Sequence, residues 1–255
     1  VSGVDMRTYG NGGGPASVCI RGMAAHHTVA IIDGIEMSDS SRTQQSTDFS
    51  FLTTDNVEQI EILKGAQSTL YGSNAMGGVV YVRTKPGAIG QPKVHTDFEA
   101  GSFYTTRDAI SVEGGSKLIQ YNLGYSYLHT DGFPLNPYGK VDCGLDLHTP
   151  WGRLDIHPSE WIDLTTTIRY QDACNDAADW PWSKSKVDHA LDDPNNYWIK
   201  RDLYARQEMR MRFFDNRWES TLAFNYAGHA RKGFDDPDSV THETSTTRSQ
   251  YLGDL

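Results

Sequence analysis

From about residue 93 onward, apolar and polar residues alternate with a period of two. Ile119, Tyr121, Leu123, Tyr125 and Tyr127 are apolar or aromatic, and the interleaved Gln120, Asn122, Gly124 and Ser126 are small or polar. The pattern recurs at Ile162, Leu164, Thr166, Ile168 and Tyr170, and again at Leu203, Ala205, Met209, Met211 and Phe213 opposite Arg206, Glu208, Arg210 and Arg212. Trp218, Leu222, Phe224 and Tyr226 alternate in the same way with Glu219, Thr221 and Asn225. Successive side chains of a strand leave opposite faces, so this period predicts β-strands. Runs of about ten residues are long enough to cross a bilayer as tilted strands. Eight strands are predicted, over 94–101, 104–114, 118–129, 143–156, 161–171, 202–214, 218–229 and 246–255.

The connections add a second signal. Short turns are predicted at 114–117, 157–160 and 215–217, and long loops at 130–142, 172–200 and 231–244. Short connections at one end and long ones at the other are the build of an outer-membrane barrel. A soluble sandwich also alternates in hydropathy, but its loops need not sort by length.

The first 88 residues have a different texture, that of a small mixed α/β unit. Residues 17–20, 28–32, 59–63 and 79–84 are short β-branched runs, and Asp33-Gly34 is a tight-turn pair. Residues 38–47 are polar without periodicity, a loop. Thr54 or Asp55 is positioned to cap a brief helical turn before Val57. Residues 66–70 predict another helical turn, ended by Gly72. Pro86-Gly87 marks the boundary, giving two domains, 1–88 and 93–255.

Composition narrows the function. A net charge of −10 and a pI near 5.3 argue against nucleic acid as a partner, since phosphate binding needs clustered Lys and Arg. Mean hydropathy is −0.54 and no apolar run approaches the ~18 residues of a transmembrane helix. Barrel strands, which alternate, leave no such mark. The chain starts at Val1 without a basic-then-apolar leader and stops inside an alternating run at Leu255. Both ends are expected to be cuts.

No nucleophile–base–orienter set is recoverable, so catalysis is not expected. The Gly10–Gly14 run lacks the Lys-Ser/Thr of a phosphate loop. His26-His27 has no evident third ligand for a metal and is read as a polar turn. The loop 172–200 carries Asp172, Asp176, Asp179, Asp192 and Asp193, hard oxygen donors of the kind calcium takes, without an EF-hand spacing. Trp180, Trp182, Tyr197 and Trp198 lie in the same stretch and are suited to shielding a flat ligand or to an interface belt. Cys19, Cys143 and Cys174 match no zinc or redox spacing. With a turn at 157–160, position 143 falls opposite about 175, so a Cys143–Cys174 disulfide across the hairpin is feasible at an oxidising surface.

One stretch is dense enough to carry a resemblance. Ile20-Arg21-Gly22, Val29 to Gly34, Ile60-Glu61-Ile62-Leu63-Lys64-Gly65 and Leu70-Tyr71-Gly72-Ser73-Asn74-Ala75-Met76-Gly77-Gly78-Val79-Val80 resemble the plug domain of TonB-dependent outer-membrane receptors. Gly3-Val4-Asp5 resembles the end of that family's PGV segment. The sequence departs from the pattern at Lys64, where the family has Arg, and at Ala66, where it has Pro.

The resemblance implies a small α/β plug followed by about 8 of an expected 22 transmembrane barrel strands. It implies an outer-membrane active transporter of a Gram-negative bacterium, taking up a ferric siderophore, cobalamin or haem and energised through TonB. The TonB-contacting box is expected upstream of Val1, and outer-membrane lipid and lipopolysaccharide are expected as surroundings. The resemblance also implies that apical plug loops meet the ligand, here Tyr9 and Asn11 in one loop and Ser38, Asp39, Ser40, Arg42, Gln44 and Gln45 in another. Arg21, Glu61, Lys64 and Arg83 are expected to contact the barrel wall, facing residues such as Glu208, Arg210 and Arg212. No cofactor is required, and calcium in the 172–200 loop is the one candidate. The alternative is a non-transporting β-rich surface adhesin or glycan-binding protein; a closed sandwich with two packed faces would favour it.

Overall fold

A computed structural model describes residues 2–8, 16–39, 46–134, 140–176, 196–214, 217–234 and 242–254. Strands β1 (Val4–Thr8) and β2 (Ala16–Ile20) pair antiparallel. A four-stranded sheet follows, built from β3 (Thr28–Ile32), β4 (Ile35–Glu36), β5 (Val57–Lys64) and β6 (Gly78–Thr84) in the order β4-β3-β6-β5. Its central pair, β3 and β6, is parallel, and both outer pairings are antiparallel. The β3–β4 hairpin turns at Asp33-Gly34, both with positive φ, so a glycine at the second position avoids a steric cost. Every side chain of β3 is buried. One face of the sheet packs Ile20, Ala30, Ile32, Val80 and Val82 together, and the other packs Val29, Ile31, Ala75 and Val79.

Two short turns complete this unit. Helix α1 (Ser68–Tyr71) ends at Gly72, where φ is +86°, close to the predicted position. The other predicted turn lies elsewhere. Residues Phe49–Phe51 form a 3-10 turn capped by Asp48, whose carboxylate accepts from the Ser50 amide at 3.1 Å. Asp55 is instead spent on an arginine described below.

The remaining eight strands form one continuous meander: β7 (Gly90–Ala100), β8 (Thr106–Gly115), β9 (Ile119–Thr130), β10 (Leu145–Ser159), β11 (Ile162–Asp176), β12 (Tyr197–Phe213), β13 (Trp218–Phe234) and β14 (His242–Asp254). Each pairs antiparallel with its chain neighbours. The connections 131–144, 177–196 and 235–241 lie at one end, the loop end. Those at 116–118, 160–161 and 214–217 lie at the turn end. The connection 101–105 is at the loop end and is short, so the sorting by length begins only after the first hairpin.

The sheet is polar inside and apolar outside. Asn122, Ser126, Thr167, Arg169, Gln171, Asp202, Asn225 and His229 are buried, on the face that meets the small sheet. Leu123, Ile110, Ile168, Leu222 and Phe224 point the other way and are exposed, Leu123 by 48%. Water would not select this arrangement, but a hydrocarbon surround does. Along β9 the apolar band from Ile119 to Tyr127 spans about 26 Å at roughly 3.3 Å per residue, the height expected of such a band, ~25 Å. Trp161, Phe213, Phe214 and Trp218 gather at the turn end as an aromatic girdle. At the loop end the row turns charged, with Tyr127 opposite His148, His148 opposite Asp172, and Asp172 opposite Arg201. A two-faced sandwich is absent among the described residues.

Candidate functional site

The seam between the small sheet and the polar face of the wall is where the two sets of functional side chains meet. Strand alternation supplies the wall's half: on β12 every second residue from Lys200 to Arg212 points inward, as do Arg169 and Gln171 on β11. The small unit supplies mainly main-chain carbonyls. Arg206 Nη1 and Asn225 Nδ2 both donate to the Gly34 carbonyl, at 3.4 and 3.2 Å. Arg153 Nη1 donates to the Thr84 carbonyl at 3.2 Å, and Asn122 Nδ2 to the Lys85 carbonyl at 3.1 Å. Gln171 Nε2 donates to the Phe51 carbonyl. Gly34 is required here for space as well as conformation, because a Cβ would lie 2.7 Å from Arg206 Nη1.

Side chains of the small unit reach the wall at three further points. Asp55 pairs with Arg107, which also holds Glu99 of β7. Asn56 Oδ1 accepts from Arg169 Nη2 at 2.6 Å, both groups being buried. Asp39, buried at the edge after β4, lies 3.6 Å from Lys200 Nζ. Lys200 is also 3.1 Å from Asp202, and the Phe51 ring covers its ammonium at 4.5 Å. Asp202 in turn takes His229 Nδ1 at 2.9 Å and the Tyr204 hydroxyl at 3.3 Å.

Below these contacts the seam opens into a cavity of about 420 Å³. Asp33, Tyr81 and Arg83 line it from the small sheet, and Arg153, Asp155, Arg206 and Glu208 are among its wall residues. Its charges are largely satisfied within the wall: Arg153 binds Asp155, and Glu208 binds Arg206 and Arg210. Burial pushes the Tyr81 phenol above its ordinary value near 10, and the neighbouring Asp33 carboxylate adds to the shift. Such a cavity can hold water and small polar solutes, and it has no apolar walls to lock two surfaces together.

The residues expected at the wall contacts are placed differently. Glu61 and Arg83 face each other at 3.8 Å across β5 and β6, both partly exposed. Lys64 Nζ donates to the Ser2 carbonyl. Arg21 is exposed at a positive φ, its amide donating to the Gly3 carbonyl at 2.8 Å. Only Arg83 shares space with Glu208 and Arg210, across the cavity. Arg212 pairs with Asp163 of the wall. The expectation failed because a strand's polar positions say which side chains seek water or charge, not which strand will stand opposite.

Of the expected ligand-contacting residues, Ser38 and Asp39 are buried in the seam. Tyr9, Asn11, Ser40, Arg42, Gln44 and Gln45 lie outside the described residues, as do Trp180, Trp182, Asp179, Asp192 and Asp193. Tyr197 and Trp198 open β12 rather than lying in a loop. Tyr197 stacks on Phe234 at 4.4 Å, and the Arg231 guanidinium sits 4.4 Å from the Trp198 ring. Asp172 and Asp176 end β11. Asp172 accepts from Arg201 Nε at 3.2 Å, and Asp176 accepts from the Gly144 amide at 3.4 Å. Among the described residues no three His, Cys, Asp or Glu are grouped to hold a metal ion.

The cysteine pairing is not formed. Cys174 stands opposite Asp146, and their row faces outward, whereas Cys143 is buried on the inward side. A register shift between Ile156 and Ser159 moves the ladder away from the pairing a simple turn predicts.

Comparison with known proteins bears on the same two parts. Residues 1–79 match the TonB-dependent receptor plug domain. Over 84 residues the chain is 32% identical to the vitamin B12 transporter BtuB of Vibrio vulnificus, covering 33% of this chain and 13% of that one. The fold is similar to the ferric yersiniabactin uptake receptor FyuA from Yersinia pestis, with a TM-score of 0.73 at 17% identity over 100% of this chain and 42% of that one. It is also similar to the siderophore receptor PirA from Acinetobacter baumannii, with a TM-score of 0.70 at 18% identity over 97% of this chain and 40% of that one. The chain thus spans less than half the length of these relatives.

Proposed function

We propose, for a chain that belongs through residues 1–79 to the plug-domain family of TonB-dependent receptors and continues in the strand fold of their barrels, that it acts as part of an outer-membrane active receptor for a scarce metal chelate. The observation that carries this reading is the inside-out sheet. An apolar band faces outward, and a polar inner face holds a folded plug through neutral carbonyls and few buried charges. Such a plug blocks the lumen at rest, yet its seam is wet enough to be rearranged by force from a partner such as TonB. Cargo would enter at the loop end, which faces the exterior, and leave at the turn end. A ferric siderophore, cobalamin and haem all suit this reading, and calcium in the 172–200 loop would be an ordering ion for the outer surface rather than a cofactor. The single meander of eight strands gives the adhesin alternative no second sheet to pack against.

The test uses the full reading frame, expressed in a Gram-negative host lacking its own receptors for these cargoes. Growth on one defined ferric siderophore, on cobalamin or on haem, lost when TonB is deleted, is the expected result. No growth on any chelate, with the protein correctly inserted, would overturn the transport reading.

A further inference from the structure

Two buried cations of the wall meet the plug, and they are compensated in opposite ways. Lys200 has a wall carboxylate, Asp202, at 3.1 Å and the plug carboxylate, Asp39, at 3.6 Å. Asp202 is further held by His229 and Tyr204, both of the wall. If Asp39 withdraws, Lys200 keeps its nearer counter-ion and no charge is stranded on the wall. Arg169 has no such reserve. Its Nη2 is taken by Asn56 of the plug at 2.6 Å, and Nη1 has no hydrogen-bond partner among the described residues. The carboxylates that act on it electrostatically, Asp33 and Asp55, are plug residues too. If the plug withdraws there, a fully buried guanidinium is left without compensation until water enters.

Removing one partner of a buried charge is costly, whereas a charge that remains paired costs far less to uncover. We infer that Lys200 and Arg169 are positioning residues with divided roles: Asp39–Lys200 is the point at which the plug's edge is released from the wall, and Asn56–Arg169 is the point at which its centre is retained. Their positions agree with this division. Lys200 lies near the loop end of β12, while Arg169 lies further down β11 towards the cavity. The Met37–Asp39 segment can therefore part from β12 while residues from Asn56 onward stay seated, and the plug loosens from its outer edge inward. Water admitted at Lys200 then shortens the path by which Arg169 is hydrated. This division rests on the plug–receptor reading for its meaning in transport. The free energies it compares are measurable without cargo or TonB, so it can fail while that reading stands.

Hydrogen–deuterium exchange on the full-length receptor, folded and without ligand, separates the two roles. Asp39→Asn is expected to raise exchange about 10-fold in peptides over 28–39 and to leave those over 56–64 unchanged, as a local opening would. Asn56→Ala is expected to raise both, because it strands Arg169. Asn56→Asp, which returns an acceptor to Arg169, is expected to restore protection in both, showing that loss in the alanine variant is not misfolding. The inference is overturned if Asp39→Asn loosens both regions equally, if it loosens neither, or if Asn56→Asp is as labile as Asn56→Ala.

Discussion

Gly87 sits where the chain leaves the plug sheet and crosses the wall. A Cβ there would lie 2.4 Å from the Tyr121 amide nitrogen and 2.6 Å from its carbonyl oxygen, atoms of a paired strand that cannot step aside. Gly87→Ala is therefore expected to destabilise the native receptor by about 1–3 kcal/mol, as overpacking does. A thermal melt of the purified full-length protein checks this, and an unchanged midpoint would mean the crossing is looser than the structure has it. Tyr81 gives a pH-dependent counterpart. Its folded pKa is raised by burial and by Asp33, so the neutral phenol is favoured in the native state. That contribution is complete below the ordinary value near 10 and is lost as pH rises through the raised value. Tyr81→Phe should make stability less sensitive to pH above about 10; identical pH profiles would show the phenol to be solvated. Neither residue stood out in the sequence. Gly87 read as a boundary, which it is, but the demand for a missing side chain comes from β9, far along the chain.

At the scale of elements, the hairpin of β10 and β11 shows what hydropathy records. The alternating pattern found all eight strands, yet it ended β11 at 171 and began β12 at 202, whereas the ladder runs from Asp176 to Tyr197 on either side of the loop. Hydrophobic alternation stops where the apolar band stops. Hydrogen-bonded pairing continues above it, through Asp172, Cys174 and Arg201, whose polar side chains read as a loop. The same hairpin carries the register shift that separates the two cysteines, and a bulge leaves no mark in a pattern of period two. Alkylation of the folded full-length protein, followed by mass spectrometry, should modify Cys174 readily and Cys143 only after unfolding. Recovery of a Cys143–Cys174 disulfide would refute the register. Plug motifs were equally plain in the sequence, since glycines at tight turns and β-branched runs are local signals. The seam was not, because most of its acceptors are main-chain carbonyls, which every residue carries. Lys200, Asp202 and Arg169 were visible only as polar positions without partners.

For the molecule as a whole, the decisive question is what surrounds the outward face. A sheet whose inner side holds Arg169, Asp202 and His229 and whose outer side shows Leu123, Ile168 and Phe224 has inverted the usual order of a water-soluble fold. The inversion is coherent along the wall: an aromatic girdle at the turn end, a band about 26 Å tall at roughly 3.3 Å per residue, then a charged row at His148, Asp172 and Arg201. Depth along that band makes a graded prediction. Arginine at Leu123, inside the band, should cost about 2–4 kcal/mol, because its guanidinium must be drawn into hydrocarbon. Arginine at His148, in the charged row, should cost about 0–1 kcal/mol, since it can reach water and headgroups. Both positions face outward and lie on adjacent strands, so neither disturbs the plug seam. Unfolding of the full-length receptor in bilayers, read by loss of heat-modifiable migration, compares the two. If Leu123→Arg proves no worse than His148→Arg, the outer face does not lie in lipid, and the polar inner face would need another explanation than a lumen.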